Sequence, residues 1–117
     1  MNRSIHQEAG AYASGILLTD RNLNIIGAND RFCNISGKSY EQLLHSCFLE
    51  LIKSDETFLC HHYFEKMRKE ELNTFEMETD VEDDSGNKRS FMISVKSLSG
   101  SSPLLGYMMM LRPANKN

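Results

Sequence analysis

The feature that most constrains the fold is a strict alternation in the second half of the chain. Every second residue from 75 to 81 is apolar or Thr, and the residues between them are acidic, which is the pattern of a half-buried β-strand. Residues 83–87 are turn formers and suit a five-residue hairpin loop. If Glu82 then faces Lys88, one face of the hairpin is apolar on both strands. The expected cross-strand pairs are Thr79 with Phe91, Met77 with Ile93 and Phe75 with Val95.

Two further regions have strand character. Residues 16–19 and 23–28 are apolar runs separated by turn-forming Asp20, Arg21 and Asn22, which predicts a short hairpin. Near the end of the chain, residues 104–112 form a last strand whose apolar run shows no alternation.

Short helices are predicted between the hairpins. Asn29 or Asp30 can cap a helix through Ile35, since their side-chain oxygens accept bonds from free amides at a helix start. Gly37 can end that helix. Ser39 can cap a second one, in which leucines recur at helical spacing.

The longest helix is expected over about residues 57–71, capped by Asp55. His61 and His62 should point away from its apolar face, on opposite flanks. That face is expected to contain Leu59, Cys60, Tyr63, Phe64 and Met67.

The order of these elements is two strands, several helices and three strands. It predicts an α+β domain: a five-stranded antiparallel sheet with short helices and one longer helix packed on one face. We expect one domain over 15–113, a flanking segment or helix over 1–14 and a C-terminal linker stub over 114–117. The flanking segment carries a thin apolar stripe of Ile5, Ala9 and Tyr12, which can fray, pack back on the domain or meet its copy in a dimer.

Composition narrows the function. The 117 residues have a net charge of −3, which argues against contact with nucleic acid or an anionic membrane surface. No apolar run approaches the about 20 residues that span a bilayer, so no membrane insertion by this domain is expected. The start lacks a secretory signal, which favours the cytoplasm, although the parent protein can be membrane-anchored. The three cysteines have no metal-ligand or disulfide spacing, and we identify no catalytic or metal-binding set.

The first half of the chain has a recognisable order of motifs: a glycine-led strand ending in Asp, a strand closing in Ala-Asn, a short helix with Phe, then Ser-Gly and a Glu-x-Leu-Leu helix. The residues of this order are Gly15, Asp20, Ala28, Asn29, Phe32, Ser36, Gly37, Glu41, Leu43 and Leu44. This pattern resembles PAS domains, the sensory boxes found in bacterial signalling proteins. The resemblance covers about residues 14–112. The chain departs from the family at Arg112-Pro113, where many members have an Asp-Ile-Thr-like motif that links the domain to its output.

The resemblance implies a pocket between the concave face of the sheet and the long helix. Apolar residues at these spacings are also what an ordinary core requires, so an empty or occluded pocket is the alternative. The candidate lining residues are Phe32, Cys60, Tyr63, Phe64, Phe91, Ile93, Met108 and Met110.

Three kinds of ligand follow from the resemblance. An adduct-forming flavin needs a reactive cysteine where Phe48 stands, with Cys47 one place early, so it is disfavoured. Haem-binding relatives carry a His three residues before a Tyr, and here Cys60 precedes Tyr63, which disfavours histidine-ligated haem. A non-covalent flavin or a small metabolite needs no fixed motif, so the cofactor stays unassigned.

Met108, Met109 and Met110 must alternate between the two faces of their strand. Either Met109 points outward, next to Met92 and Leu98 as a contact surface, or its two neighbours do. The flexible, polarizable thioethers also suit an oxidation sensor.

The functional expectation is a sensory and regulatory domain without chemistry of its own. It would sense a small ligand or cofactor state and form a homodimer through its N-terminal segment or outer sheet face. It would then relay the signal to a covalently linked output domain, such as a kinase, cyclase or transcription domain. The alternative is a ligand-free protein–protein interaction domain.

Overall fold

The computed structural model of the chain describes residues 14–52, 54–99 and 104–114. The helix expected before residue 14 and the linker stub beyond Ala114 lie outside the described residues. Within them, the strands are β1 (Gly15–Asp20), β2 (Ile25–Ala28), β3 (Thr74–Glu82), β4 (Lys88–Ser99) and β5 (Leu104–Pro113). The helices are α1 (Asp30–Ser36), α2 (Tyr40–Leu43) and α3 (Ser54–Arg68), with a 3-10 turn at Phe48–Leu51.

The five strands form one antiparallel sheet in the order β2-β1-β5-β4-β3. The expected β3–β4 register is confirmed, from Glu82 opposite Lys88 to Phe75 opposite Val95. Alternation fixes this register because a slip by one residue would move every apolar side chain of β3 to the acidic face. The predicted α+β class, with its helices on one face of the sheet, is therefore confirmed.

The structure decides between the two facings of β5 that the sequence leaves open. Met109 lies opposite Leu17 of β1, and both are 0% exposed. Met108 and Met110 therefore point to the outer face of the sheet, where Met110 is 37% exposed. Assigning these two methionines to the pocket lining was wrong, because the unbroken apolar run of β5 carries no alternation from which a facing can be read.

Both hairpins turn through the same set of hydrogen bonds. The Asp20 side chain accepts bonds from the amides of Asn22 and Asn24, both at 2.9 Å. The Asp83 side chain accepts the equivalent bonds from Ser85 and Asn87, again at 2.9 Å. Main-chain bonds then close each five-residue loop in the same way, giving a type I turn followed by a left-handed residue.

These bonds also set the ionisation of the two carboxyls. Partial burial acts to raise the pKa of Asp20, but bonds from Asn24 and Asn22 and the charge of Arg21 outweigh it and lower the pKa. For Asp83, the bond from Asn87 is the main cause of a lowered pKa. The hydrogen bonds that both carboxylates accept from backbone amides therefore stabilise their charged form.

Asn29 joins three segments with one side chain. Its Oδ1 accepts bonds from the amides of Ile16 and Phe32, both at 2.9 Å, and its Nδ2 donates to the Ser14 carbonyl at 3.1 Å. The expected cap of α1 is thereby confirmed, and the same residue fastens the start of β1. Gly37, at φ 73°, ends α1, and Ser39 forms a capping box with Gln42 on α2, as expected.

Helix α3 departs from its expected bounds. It begins at Ser54, so Asp55 lies inside the helix rather than at its cap. It ends at Arg68, and Glu70 follows in the left-handed conformation at φ 63°. In the described residues, no helix is both long and apolar enough to cross a bilayer.

The core lies between the helices and the concave face of the sheet. Helix α3 contributes Cys60, Phe64 and Met67, each no more than 2% exposed. Leu59, expected on the same face, is 43% exposed, because the buried stripe of the helix is narrower than the sequence indicates. His61 and His62 are exposed, as expected.

Candidate functional site

The interior between α3 and the sheet holds most of the predicted lining residues. Tyr63 is half-buried and stacks on Phe75, with 4.7 Å between ring centroids. Met108 and Met110 lie on the opposite face and are not part of this interior. The other five predicted residues are each 1% exposed: Phe32, Cys60, Phe64, Phe91 and Ile93.

An aromatic cluster occupies the middle of this interior. The ring of Phe64 lies edge-on to Phe48, Phe75 and Tyr107, with centroid distances of 6.3, 5.3 and 4.8 Å. Edge-to-face contacts at these distances stabilise a packed core beyond simple burial. Three of these four rings were absent from the predicted lining, because Phe48, Phe75 and Tyr107 lie on three different elements that the sequence does not bring together.

Tyr107 adds a polar group to this apolar surrounding. The residue is 0% exposed, and its hydroxyl finds no hydrogen-bond partner among the described residues. Burial raises the pKa of Tyr107, with Arg68 and Glu65 near enough to act on it in opposite directions. An unpaired buried hydroxyl costs about 1–3 kcal/mol, so a water or the polar atom of a ligand would stabilise this position.

The sulfur atoms of the interior are in contact with each other. Cys60 Sγ lies 3.4 Å from Met77 Sδ, and both side chains are buried. In the described part of the chain, no group of three or more His, Cys, Asp or Glu side chains converges as a metal site. The pKa of Cys33 is raised by burial, with Asp30 and Glu41 adding to the effect, so that thiol is a weak nucleophile at neutral pH.

The outer face of the sheet carries a patch of apolar side chains in its centre. Ile16 faces Met110 and Leu18 faces Met108 across the β1–β5 pair. Met92 lies diagonally from Met110 on β4, which pairs Ser94 with Met110. We call these five residues the outer apolar patch; four are half-buried and Met110 is 37% exposed.

An acidic row borders the patch on β3. Glu76 accepts a bond from Ser94 at 2.8 Å, and Asp80 accepts one from Ser90 at 2.7 Å. Glu78 and Glu82 project from the same face. The outer surface therefore changes from apolar at β1 and β5 to negatively charged at β3.

A surface groove of about 330 Å³ lies beside the β3–β4 turn. Its charged residues are mostly acidic, and Lys38 pairs with Asp84 across 3.0 Å. Gly37 sits so close to this turn that an added Cβ would lie 3.1 Å from the Asp84 amide. The groove therefore marks where the second turn docks on the loop between α1 and α2.

An antiparallel sheet in this strand order, with helices on one face and an aromatic interior beneath them, defines a small α+β domain. A family model described as the PAS fold matches residues 5–114. The chain therefore belongs to the PAS family, as the sequence resemblance predicts.

Solved structures agree with this assignment at the level of the fold. A PAS domain of a two-component sensor histidine kinase is 21% identical, with a TM-score of 0.71 over 96% of this chain and 95% of that one. A PAS domain from Colwellia psychrerythraea is 16% identical, with a TM-score of 0.78 over 97% of this chain and 98% of that one. A domain of a sensory box sensor histidine kinase/response regulator from Geobacter sulfurreducens is 13% identical, with a TM-score of 0.73 over 96% of this chain and 99% of that one. No curated protein sequence matches this chain.

Proposed function

We propose that this chain is a sensory and regulatory PAS domain of a larger signal-transduction protein. In this proposal the domain forms a homodimer, responds to a small ligand or cofactor state in its interior, and relays the change to a covalently linked output domain. It has no catalytic role of its own. The observation that carries the proposal is the outer apolar patch, which lies on β1, β5 and β4.

The negative charge of β3 favours one of two orientations in which two copies could pack through this patch. If β3 of one copy lay over β3 of the other, the row containing Glu76, Glu78 and Asp80 would face itself, which is unfavourable. A two-fold axis along the strands instead places β3 over the short edge strand β2 of the partner. Apolar residues then meet at the centre and the acidic rows stay apart, as an isologous interface requires.

Sedimentation equilibrium of the full chain tests this dimer. Met110→Lys places a charge in the patch and should convert a dimer into a monomer. Phe58→Lys is the matched control, because Phe58 is 83% exposed on α3, away from the sheet. A wild-type chain that stays monomeric at high concentration, or a dimer that Met110→Lys leaves intact, would count against the proposal.

Two observations bear on the ligand. The unpaired hydroxyl of Tyr107 favours a guest with a polar atom, held against the candidate residues Phe32, Cys60, Tyr63, Phe64, Phe91 and Ile93. The three rings around Phe64 favour the alternative function, a ligand-free protein–protein interaction domain with a packed interior. The exposure of His61 and His62 argues against histidine-ligated haem, so a small metabolite is the guest that we favour.

Native mass spectrometry with an absorbance spectrum of freshly purified protein separates these two functions. A stoichiometric small molecule would reject the ligand-free alternative, and haem or flavin bands would identify a coloured cofactor. Bare protein mass would support the interaction domain. With its net charge of −3, the domain is expected to make no contact with nucleic acid. We further propose that it acts in the cytoplasm and does not insert into a membrane.

A further inference from the structure

We propose that Met108, Met110 and Met92 form a reversible oxidation site whose sulfoxide state dissociates the homodimer. This inference rests on the dimer proposed above and adds its regulation. Three of the five residues of the outer apolar patch are methionines. The site therefore lies in the surface on which self-association depends.

Exposure separates these methionines from the others that the structure describes. Met110 is 37% exposed and Met108 and Met92 are half-buried, whereas Met109 is 0%, Met67 2% and Met77 8% exposed. Oxidation of a thioether requires access of the oxidant to the sulfur. The alternation of β5 thus places reactive and protected methionines side by side in one triplet.

The chemistry needs only an oxidant of the peroxide class. A sulfur lone pair of Met110 attacks one peroxide oxygen, the S–O bond forms, and the O–O bond breaks. With hydrogen peroxide, the leaving hydroxide takes the proton from the oxygen now bound to sulfur and departs as water, so the sulfur loses two electrons and the peroxide gains them. A thiol-dependent reductase reverses the step, converting two thiols to a disulfide and the sulfoxide oxygen to water.

The neighbours of these sulfur atoms set the direction of the effect. Ser94 lies opposite Met110, Arg112 approaches Ser94 at 3.5 Å, and Lys96 lies opposite Met108. In the free domain these donors and water can bond to a sulfoxide oxygen. In the dimer, the same oxygen would lose its water and be pressed against the apolar side chains of the partner's patch, which is unfavourable. Oxidation therefore stabilises the monomer relative to the dimer.

The experiment treats the full chain with dilute hydrogen peroxide and measures its dimer dissociation constant by sedimentation. Peptide mass mapping locates the added oxygens, and circular dichroism verifies that the fold is kept. We expect oxidation at Met110 first, a dissociation constant raised about tenfold or more, and recovery after treatment with methionine sulfoxide reductase.

Two variants provide matched controls. The triple substitution Met92→Leu, Met108→Leu and Met110→Leu keeps the patch apolar without oxidisable sulfur, so its dimer should resist peroxide. Met109→Leu changes the buried member of the triplet and should respond as the wild type does.

Each outcome bears on one of the two proposals. An untreated chain that is monomeric at every concentration removes the dimer and this site with it. A dimer that persists with sulfoxide at Met110 overturns the oxidation site alone and leaves the proposed dimer standing. Peroxide dissociation of the triple variant would assign the effect to another residue and would also overturn the site.

Discussion

The β1–β2 turn and the β3–β4 turn have the same hydrogen bonds but different attachments. Each has Asp at its first position and Asn at its fifth. The fourth, left-handed position is Leu23 in the first turn, at φ 70°, and Gly86 in the second, at φ 88°. The local bonds therefore specify the shape of both turns, while the fourth residue decides how each turn is tied to the molecule.

Leu23 ties the first turn to the core. Its side chain is only 7% exposed, and its carbonyl accepts a 2.8 Å bond from the Phe48 amide. A left-handed backbone costs a bulky residue about 1–2 kcal/mol, whereas burying a Leu side chain contributes about 1.5–3 kcal/mol. Burial wins by a small margin, so the strain is tolerated. The second turn instead contacts the surface loop between α1 and α2, at Gly37 and Lys38.

The largest contrast is expected from two glycine substitutions, one beside the first turn and one within the second. A Cβ on Gly106 would overlap the Thr19 carbonyl oxygen and lie 3.1 Å from Asp20 Cα, just before the first turn. Gly106→Ala should therefore lower the free energy of unfolding by more than about 3 kcal/mol. Gly86→Ala meets nothing closer than Glu82 Oε2 at 3.8 Å and should cost only about 1 kcal/mol of backbone strain. Urea unfolding measures both, and equal losses would mean that the two turns are held alike.

The next effect concerns the strain at Leu23. Leu23→Ala should cost about 2–4 kcal/mol through the lost side chain. Leu23→Gly should be at least as stable as Leu23→Ala, although it removes one more methyl group, because glycine relieves the left-handed backbone. Leu17 in β1 is the matched control: it is 0% exposed and lies in an ordinary strand, where Gly should be about 1 kcal/mol worse than Ala. If Leu23→Gly were also about 1 kcal/mol less stable than Leu23→Ala, backbone strain at position 23 would not contribute to stability.

The smallest effect is in the response of stability to acid. The pKa values of Asp20 and Asp83 are lowered in the folded state. Each carboxylate therefore stabilises the fold above the unfolded pKa of about 3.9, and this contribution is lost as pH falls through the lower folded pKa. Asp20→Asn and Asp83→Asn should each flatten the loss of stability below about pH 4. Unfolding midpoints measured at several pH values test this, and an unchanged acid slope in both variants would contradict it.

These results also show which parts of the fold can be read from the sequence. The β3–β4 register follows from alternation on one strand and a turn whose residue types fix the loop length. The caps at Asn29 and Ser39 follow because they depend on short-range bonds alone.

Other parts depend on contacts that the sequence does not contain. The facing of β5 is set by its pairing with β1 and β4 on both sides, and a continuous apolar run fits either facing. Leu23 was assigned to the second strand because it is apolar, whereas the structure places it in the turn and β2 begins at Ile25. Its burial depends on segment 46–48, which is distant in sequence.

The interior of the candidate site was predictable only in part. The buried stripe of α3 follows from helical periodicity, which correctly selects Cys60, Phe64 and Met67. Tyr107 has no such signal, since nothing in the sequence shows that its ring meets Phe64 or that its hydroxyl lacks a partner.

The side chain of Asn29 has a mechanical consequence. It holds the carbonyl of Ser14, the amide of Ile16 and the start of α1 at once. A force that pulls on the chain before β1 would therefore act on two parts of the fold. One part of the force is transmitted along β1, and the other reaches α1 through the side-chain amide of Asn29. Asp would lack the donor and Ser the reach to make all three bonds, so neither could replace Asn29 in this role.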